Sequence, residues 1–232
     1  GAPFDVTITR AEITLQEVET RMIDGHIGYI ALNGFSAPAS EQFAAALSQL
    51  LDDGEPIEPF EVVAYYRVPV GMDARDVQPL PNGLEMIAGD PEATTAQDPA
   101  VSSWSCGPAG PREPAPFPCP SRGAALQLNL VFDACWDGAN LGSDDHRSHL
   151  APVVRAEGDA DARASCPSGH PVALPEVTVE VRYPPLVEPG ALTLASGPAT
   201  GGHGDILVAW DQDHLAAEVA TCLAANRRCD VP

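Results

Sequence analysis

The residues best equipped for chemistry lie between Cys135 and Pro152, in the run CWDGANLGSDDHRSHLAP. These eighteen residues hold one Trp, two His, three Asp, an Arg, an Asn and a Cys, with two Gly to bend the backbone and a Pro to end the run. Asp145, His146 and His149 fall within five positions, and a carboxylate beside imidazoles suits general acid–base work or a metal site. The competing reading is a loop whose Asp and His side chains hydrogen-bond its own backbone, pinned by a half-cystine at Cys135. Two more stretches share the character, CPSGHPV from Cys166 and SGPATGGHGDILVAWD from Ser196 to Asp211. In the latter, His203 and Asp205 lie between Gly residues just before an apolar strand, where side chains can be presented at the rim of a sheet.

Six residues are thereby candidates for acid–base chemistry: Asp137, Asp145, His146, His149, His203 and Asp205. Asp145 or Asp205 would supply the carboxylate, and one His would donate or shuttle a proton. Trp136, Arg147, Trp210 and Asp211 are candidates for holding a substrate, the Trp rings by stacking on a sugar, although a core position is the ordinary fate of a Trp. No reaction type follows, because retaining and inverting hydrolysis differ in a carboxylate separation that a sequence does not carry. No cofactor is required. A divalent metal on His146, His149 and His203 is an option, but HExxH is absent and the zinc signal is weak. Asp137, Asn140, Asp144 and Asp145 could instead ring calcium, although their spacing departs from the EF-hand pattern.

The elements that must position these residues are mostly short strands. Val6 to Ile13 and Ile27 to Leu32 alternate apolar and polar positions and predict a strand pair joined through Ile23-Asp24-Gly25-His26, with His26 at the surface. Pro38 to Asp53 changes to helical spacing, with Phe43, Ala46 or Leu47, and Leu50 or Leu51 on one face, a cap at Ser36 and a stop at Gly54. Extended runs follow at Glu61–Val70, Leu84–Ala88, Val101–Cys106, Ala125–Phe132, Glu176–Tyr183 and Leu192–Ala195. Loops such as 89–99 and 107–120 are too rich in Pro for a helix, and the acidic stretch 157–164 reads as a solvent loop. Asp211-Gln212-Asp213 can cap a final helix from His214 to Ala225. With 24 Pro among many short strands, the expected fold is mainly β, an antiparallel sandwich or barrel-like domain over residues 59–232. A strand-strand-helix segment over residues 1–58 precedes it.

Composition sets the partners. The formal charge of −21 repels phosphate backbones and anionic lipid, so nucleic acid and acidic membranes are poor partners. All 12 basic residues are Arg, and the lack of Lys removes Schiff-base chemistry, the P-loop and any Ser–Lys dyad. No apolar run is long enough to span a bilayer. Six Cys without a C-x-x-C pair favour disulfides in an oxidising compartment. The sequential pairing 106–119, 135–166 and 222–229 closes three local loops and is one choice among the many that six Cys allow. The chain opens GAPFD, without an initiator Met or signal peptide, so a mature form or a fragment is expected, and secretion rests on the Cys.

Two resemblances add to this. TITRAEITLQEVETRM followed by GYIALNGFSAPASEQFAAALSQLLDDG resembles the opening of the core domain of carboxy-terminal-processing (tail-specific) serine peptidases, over residues 5–54. Without Lys their catalytic dyad cannot exist, so this resemblance implies an inactive remnant. Further on, Tyr65-Tyr66-Arg67, PNGLEMIAGD from Pro81, Trp104-Ser105-Cys106, Cys119-Pro120, CWDG with DHRSH, CPSGHPVALPEVTVEVRYP and HGD with WD occur in order. Together, over residues 60–225, they resemble a secreted family of fungi and actinobacteria catalogued as domain of unknown function nineteen ninety-six. That family has Asp where this chain has Gly142, commonly Pro at Asp144, and an opening His-and-Asp segment that this chain lacks. Its members often sit beside carbohydrate-binding or cell-wall modules, which implies glycan, or cell-wall polysaccharide, as the ligand or substrate class. The expectation is a secreted polysaccharide-binding or polysaccharide-acting domain and, if an enzyme, a carbohydrate-active one. A non-catalytic interaction module or a truncated domain fusion is the alternative.

Overall fold

The computed structural model describes residues 17–23, 27–34, 38–50, 57–108, 110–119, 124–155, 163–185 and 192–229. The chain divides into two compact units, Gly1–Ile57 and Glu58–Pro232. In the first, β1 (Val18–Ile23) pairs antiparallel with β2 (Ile27–Leu32), and α1 (Ala39–Leu50) follows. Gln42 fastens α1 to the strand, its Oε1 accepting from the backbone N–H groups of Glu17 at 2.9 Å and Val18 at 3.3 Å. The helical face is buried through Ala39 and Ala46, whereas Phe43 is exposed, because so small a unit shelters little apolar surface. The strand expected at Val6–Ile13, His26, the cap at Ser36 and the stop at Gly54 lie outside the described residues, as does most of the acidic stretch 157–164.

The second unit is built from short antiparallel strands: β3 (Glu61–Arg67), β4 (Glu85–Gly89), β5 (Ser102–Cys106), β6 (Leu126–Val131), β7 (Cys135–Trp136), β8 (Leu150–Ala151), β9 (Val172–Ala173), β10 (Glu176–Tyr183), β11 (Thr193–Leu194), β12 (Gly197–Pro198) and β13 (His203–Leu207). Four of them form a sheet in the order β3-β10-β6-β5, β13 pairs β4, β7 lies between β8 and β9, and β11 pairs β12. The fold is thus mainly β, with several antiparallel sheets, a leading β-β-helix segment and a closing helix. Among the described residues no sheet closes on itself, which corrects the barrel-like expectation. The largest sheet ends on β3 and β5 and falls short of the roughly 8 strands from which small barrels are made.

Period-2 alternation in LQLNLV places Leu126, Leu128 and Leu130 on one face of β6. They pack with Trp104, Leu80, Leu84, Leu174 and Val177, all at most 4% exposed, each worth about 1.5–3 kcal/mol of burial. Two glycines let β13 approach this layer. A Cβ at Gly204 would lie 2.8 Å from Leu130 Cδ1, and one at Gly202 3.0 Å from Leu128 Cδ1. The other parity departs from sequence expectation. Polar residues alternating with Leu predict a wetted face, yet Ser103, Ser105, Gln127, Asn129, Thr178 and Glu180 are all buried.

Three disulfides join Cys106 to Cys119, Cys135 to Cys166 and Cys222 to Cys229, in sequential order. The last helix begins as α2 (Gln212–Glu218) and widens to a π turn over Val219–Leu223. Asp211 caps it, Oδ1 accepting from His214 N–H at 2.8 Å.

Candidate functional site

The run from Cys135 to Pro152 leaves β7 and returns along β8, so its ends are fixed by a three-stranded sheet and by the Cys135–Cys166 bridge. Inside, most of the polar groups hold the loop itself. Asp137 Oδ1 accepts from the N–H groups of Ala139 at 2.8 Å and Asn140 at 2.9 Å, while Oδ2 accepts from Asn140 Nδ2 at 2.7 Å. Desolvation pushes this carboxyl up, and the Asn140 and Ala139 donors more than offset it, leaving it below the ordinary carboxylate range. Trp136 Nε1 donates to Asn140 O at 2.6 Å, and the ring packs against the core. Asp145 Oδ1 accepts from Ser148 N–H at 2.8 Å, Arg147 N–H at 3.0 Å and Ser143 Oγ at 2.7 Å. The Ser148 and Arg147 donors, followed by Ser143, hold its carboxyl far below the usual range.

A carboxylate that accepts several such hydrogen bonds is stabilised as the anion, and in this loop Asp137 and Asp145 anchor their own turns. His149 is 1% exposed; its Nε2–H donates to Glu85 O at 2.7 Å and its Nδ1 lies 2.8 Å from Ser143 Oγ. Ser143 has a single hydroxyl proton, which His149 Nδ1 and Asp145 Oδ1 share as alternative acceptors. Ser143 stands between His149 and Asp145, whereas a nucleophilic Ser needs the imidazole between itself and the carboxylate.

The Asp145 anchor has a pH signature. A depressed folded-state pKa contributes stability that is present above the unfolded value and lost as pH falls toward the folded one. Asp145→Asn therefore lowers the melting temperature by a constant amount above about pH 5, and the difference from the parent closes as pH falls below the ordinary value of 3.8. Paired thermal melts from about pH 2 to 7 check this; a difference that grows on acidification contradicts the assignment.

What the loop does present is set by its attachment to β4. His149 bonds the carbonyl of Glu85 at one end of that strand, and Arg147 Nη2 bonds the carbonyl of Gly89 at the other. The glycine-flanked His203 and Asp205 sit on β13 itself, one step later in the fold than the rim position expected. Register places Leu207 opposite Glu85, Asp205 opposite Ile87 and His203 opposite Gly89. One parity, Met86, Ala88 and Ile206, packs into the core. The other holds the exposed Glu85 and Asp205 and the half-buried His203, whose Nδ1–H donates to Gly201 O at 3.0 Å. His146 joins them from the loop, Nδ1 lying 3.7 Å from Glu85 Oε2 in an exposed pair, with a backbone φ of 56° that non-glycine residues rarely adopt. Glu85 was missed in sequence because an acidic residue on a strand is normally just solvated surface. Asp133, just before Cys135, was also passed over; burial pushes its carboxyl up against the opposing charges of Arg147 and His170.

The three imidazoles do not gather. His149 sits over Glu85, and His203 sits opposite Gly89, four residues along the strand and about 13 Å away. Among the described residues, three ligand-type side chains meet within 4.8 Å at Glu218, Cys222 and Cys229, the set from which a metal could be held. Both sulfurs there form a disulfide and carry no thiolate charge. Neither the His146–His149–His203 set nor the carboxylates of Asp137, Asp144 and Asp145 form such a group. Trp210 and Asp211 line an open cavity of about 340 Å³ with Tyr66 and Leu207. Trp210 Nε1 donates to Tyr66 Oη at 3.1 Å, the two rings meeting edge to face at 5.9 Å, and His214 stacks at 6.2 Å on the indole. Leu207 is also outward on β13, so cavity and polar face adjoin. No helix among the described residues is long and apolar enough to cross a membrane.

A family model described as a domain of unknown function, DUF1996, matches residues 45–210. No curated protein matches the chain, and no solved structure does.

Proposed function

The chain belongs to the DUF1996 family, and from that premise we propose that its second unit is a secreted module that binds polysaccharide on the outward face of β4 and β13. One observation carries the reading: the strand register sets the exposed Glu85 and Asp205 on one face with the half-buried His203, and His146 leans over Glu85. Carboxylates accept and imidazoles donate or accept hydrogen bonds, which suits the hydroxyls of a sugar chain. The adjoining cavity supplies aromatic surface at Tyr66 and Trp210, and its volume sits at the small end of the range of roughly 300–1,000 Å³ for ligand pockets. Binding is favoured over turnover because Asp137 and Asp145 are held as anchors and His149 is buried. Three disulfides support an oxidising, extracellular setting. We read the leucine face of β6 against β13 as the interior of an open sandwich, which leaves the other face of β13 free.

Co-sedimentation with insoluble chitin, cellulose and β-glucan tests the proposal, alongside an assay for new reducing ends. The parent protein is expected to be retained on one of them without releasing sugar, and Glu85→Gln with Asp205→Asn to weaken retention roughly tenfold or more, about 1.4 kcal/mol, at unchanged melting temperature. Equal retention of variant and parent, or none by either, sinks the reading. Reducing ends that appear with the parent and vanish in Asp205→Asn replace binding by hydrolysis.

A further inference from the structure

The four-stranded sheet ends on β3, which pairs with β10 along one edge and, among the described residues, with no strand along the other. On that outer edge alternate residues turn their N–H and C=O groups away from the ladder, a template for a further strand. Proteins blunt such edges with Lys, Pro or a bulge. EVVAYYR holds neither Lys nor Pro, carries charge only at its two ends, and pairs with β10 without interruption from Glu61 to Arg67. The apolar face of the sheet also runs off here. Its row Trp104–Leu128–Val181–Val62 passes from 1% exposed at Trp104 to 61% at Val62, and Phe60, just before the strand, is likewise 61% exposed.

The segment from Pro59 to Pro69, PFEVVAYYRVP, is complementary to its own reverse. Laid antiparallel against a second copy with Ala64 opposite Ala64, Glu61 meets Arg67, Val62 meets Tyr66 and Val63 meets Tyr65, and two-fold symmetry repeats each pair. Opposite charges and pairs of β-branched with aromatic side chains are cross-strand combinations that stabilise sheets. The smallest side chain of the strand falls at the centre, Phe60 meets Val68, and Pro59 meets Pro69, so both chains leave the ladder at the same point. A slip of one residue either way uncouples the charges. Glu61 already accepts from Arg182 Nη1, while Arg182 Nη2 donates to Tyr65 Oη at 3.2 Å and Nε to Gln127 Oε1 at 3.3 Å. The Glu61 side chain nonetheless stays 46% exposed, so a second copy's Arg67 extends an ionic row instead of breaking one.

We propose that β3 is a homodimer interface, at which a second copy adds its own β3 antiparallel about Ala64 and the four strands of each chain become one sheet. The two-fold axis then stands perpendicular to the sheet, and both copies present the same face on the same side. Val62 is covered by the second copy's Tyr66, and the apolar row continues through that copy's Val177. The two Tyr66 residues, each lining its own Trp210 cavity, come to lie about 13 Å apart along the seam, four residues of strand. The charge of −21 on each chain opposes association, and the complementary ends of β3 select this edge against it.

Sedimentation velocity of the whole chain at physiological ionic strength, from low micromolar to near millimolar protein, tests the pairing. The parent is expected to pass reversibly from monomer to dimer over that range. Glu61→Arg and Arg67→Glu each set like charges against one another at both ends and weaken the dimer roughly tenfold or more. Mixed in equal amounts, the two variants restore the parent's affinity, because every charged pair across the seam is opposite again. Ala64→Arg, at an exposed position, places two guanidinium groups together at the centre and gives a monomer that melts as the dilute parent does. Whether or not either charge variant folds, Ala64→Arg decides the edge. A parent that stays monomeric throughout, a dimer that survives Ala64→Arg, or a mixture of folded charge variants that associates no more tightly than either alone overturns the proposal.

Discussion

Arg182→Ala is expected to destabilise the second unit by about 3–5 kcal/mol, the range for breaking a buried ion pair from one side. Glu180 is 2% exposed, and Arg182 Nη2, 2.8 Å away, is its ion-pair partner. The guanidinium is committed to the charge, since its hydrogen bonds, first that to Glu180, push its pKa further up. Removing it strands a carboxylate in the sheet and releases Gln127, Tyr65 and Glu61 with it. For a chain of this size the melting temperature should fall on the order of 10 °C, read by circular dichroism. Replacing both partners, Arg182→Met with Glu180→Leu, should recover most of the loss, because two apolar groups leave nothing unpaired. A single variant that melts within a degree or two of the parent would show that the pair carries little.

The second large effect is expected at Cys135 and Cys166. They are 31 residues apart, against 13 and 7 for the other bridges, and loop closure grows with length. Cys135→Ala with Cys166→Ala should cost about 3.5–4 kcal/mol, and Cys222→Ala with Cys229→Ala about 1 kcal/mol less. Denaturant unfolding under matched conditions measures both. The first pair also frees one root of the loop that carries His146 and Arg147, so retention on polysaccharide should weaken together with stability. Equal losses from the two pairs would contradict the loop-length account, since the burial of Cys135 can only enlarge the first loss.

The strands of the large sheet were legible because their residues alternate. Glu176–Tyr183 is found with the bounds read from its Val and Tyr content, and Val101–Cys106 and Ala125–Phe132 each lose only a residue or so at their ends. Two-residue strands such as Leu150–Ala151 and Val172–Ala173 were not, since a pair of residues has no period; they exist because Cys135 and Trp136 offer both edges to them. The site was legible in residue type and opaque in role. Asp145 and His149 look alike in sequence, both polar residues in a turn, yet one is tied to its own backbone and the other is sealed beneath β4. Glu85 was invisible as a candidate, and Gln127 and Glu180 as interior residues, because only cross-strand register tells which polar residues share a face.

One feature of the loop bears on how such a surface can change over generations. Its hydrogen bonds to β4 involve main-chain groups of that strand, the carbonyls of Glu85 and Gly89 and the N–H of Glu85, which donates to Leu141 O at 2.8 Å, and these do not depend on the side chain. Side chains at positions 85, 87, 205 and 207 can therefore be exchanged without unseating His149 or Arg147. The frame stays put while its outward face drifts, so one scaffold can carry different surface chemistries across a lineage.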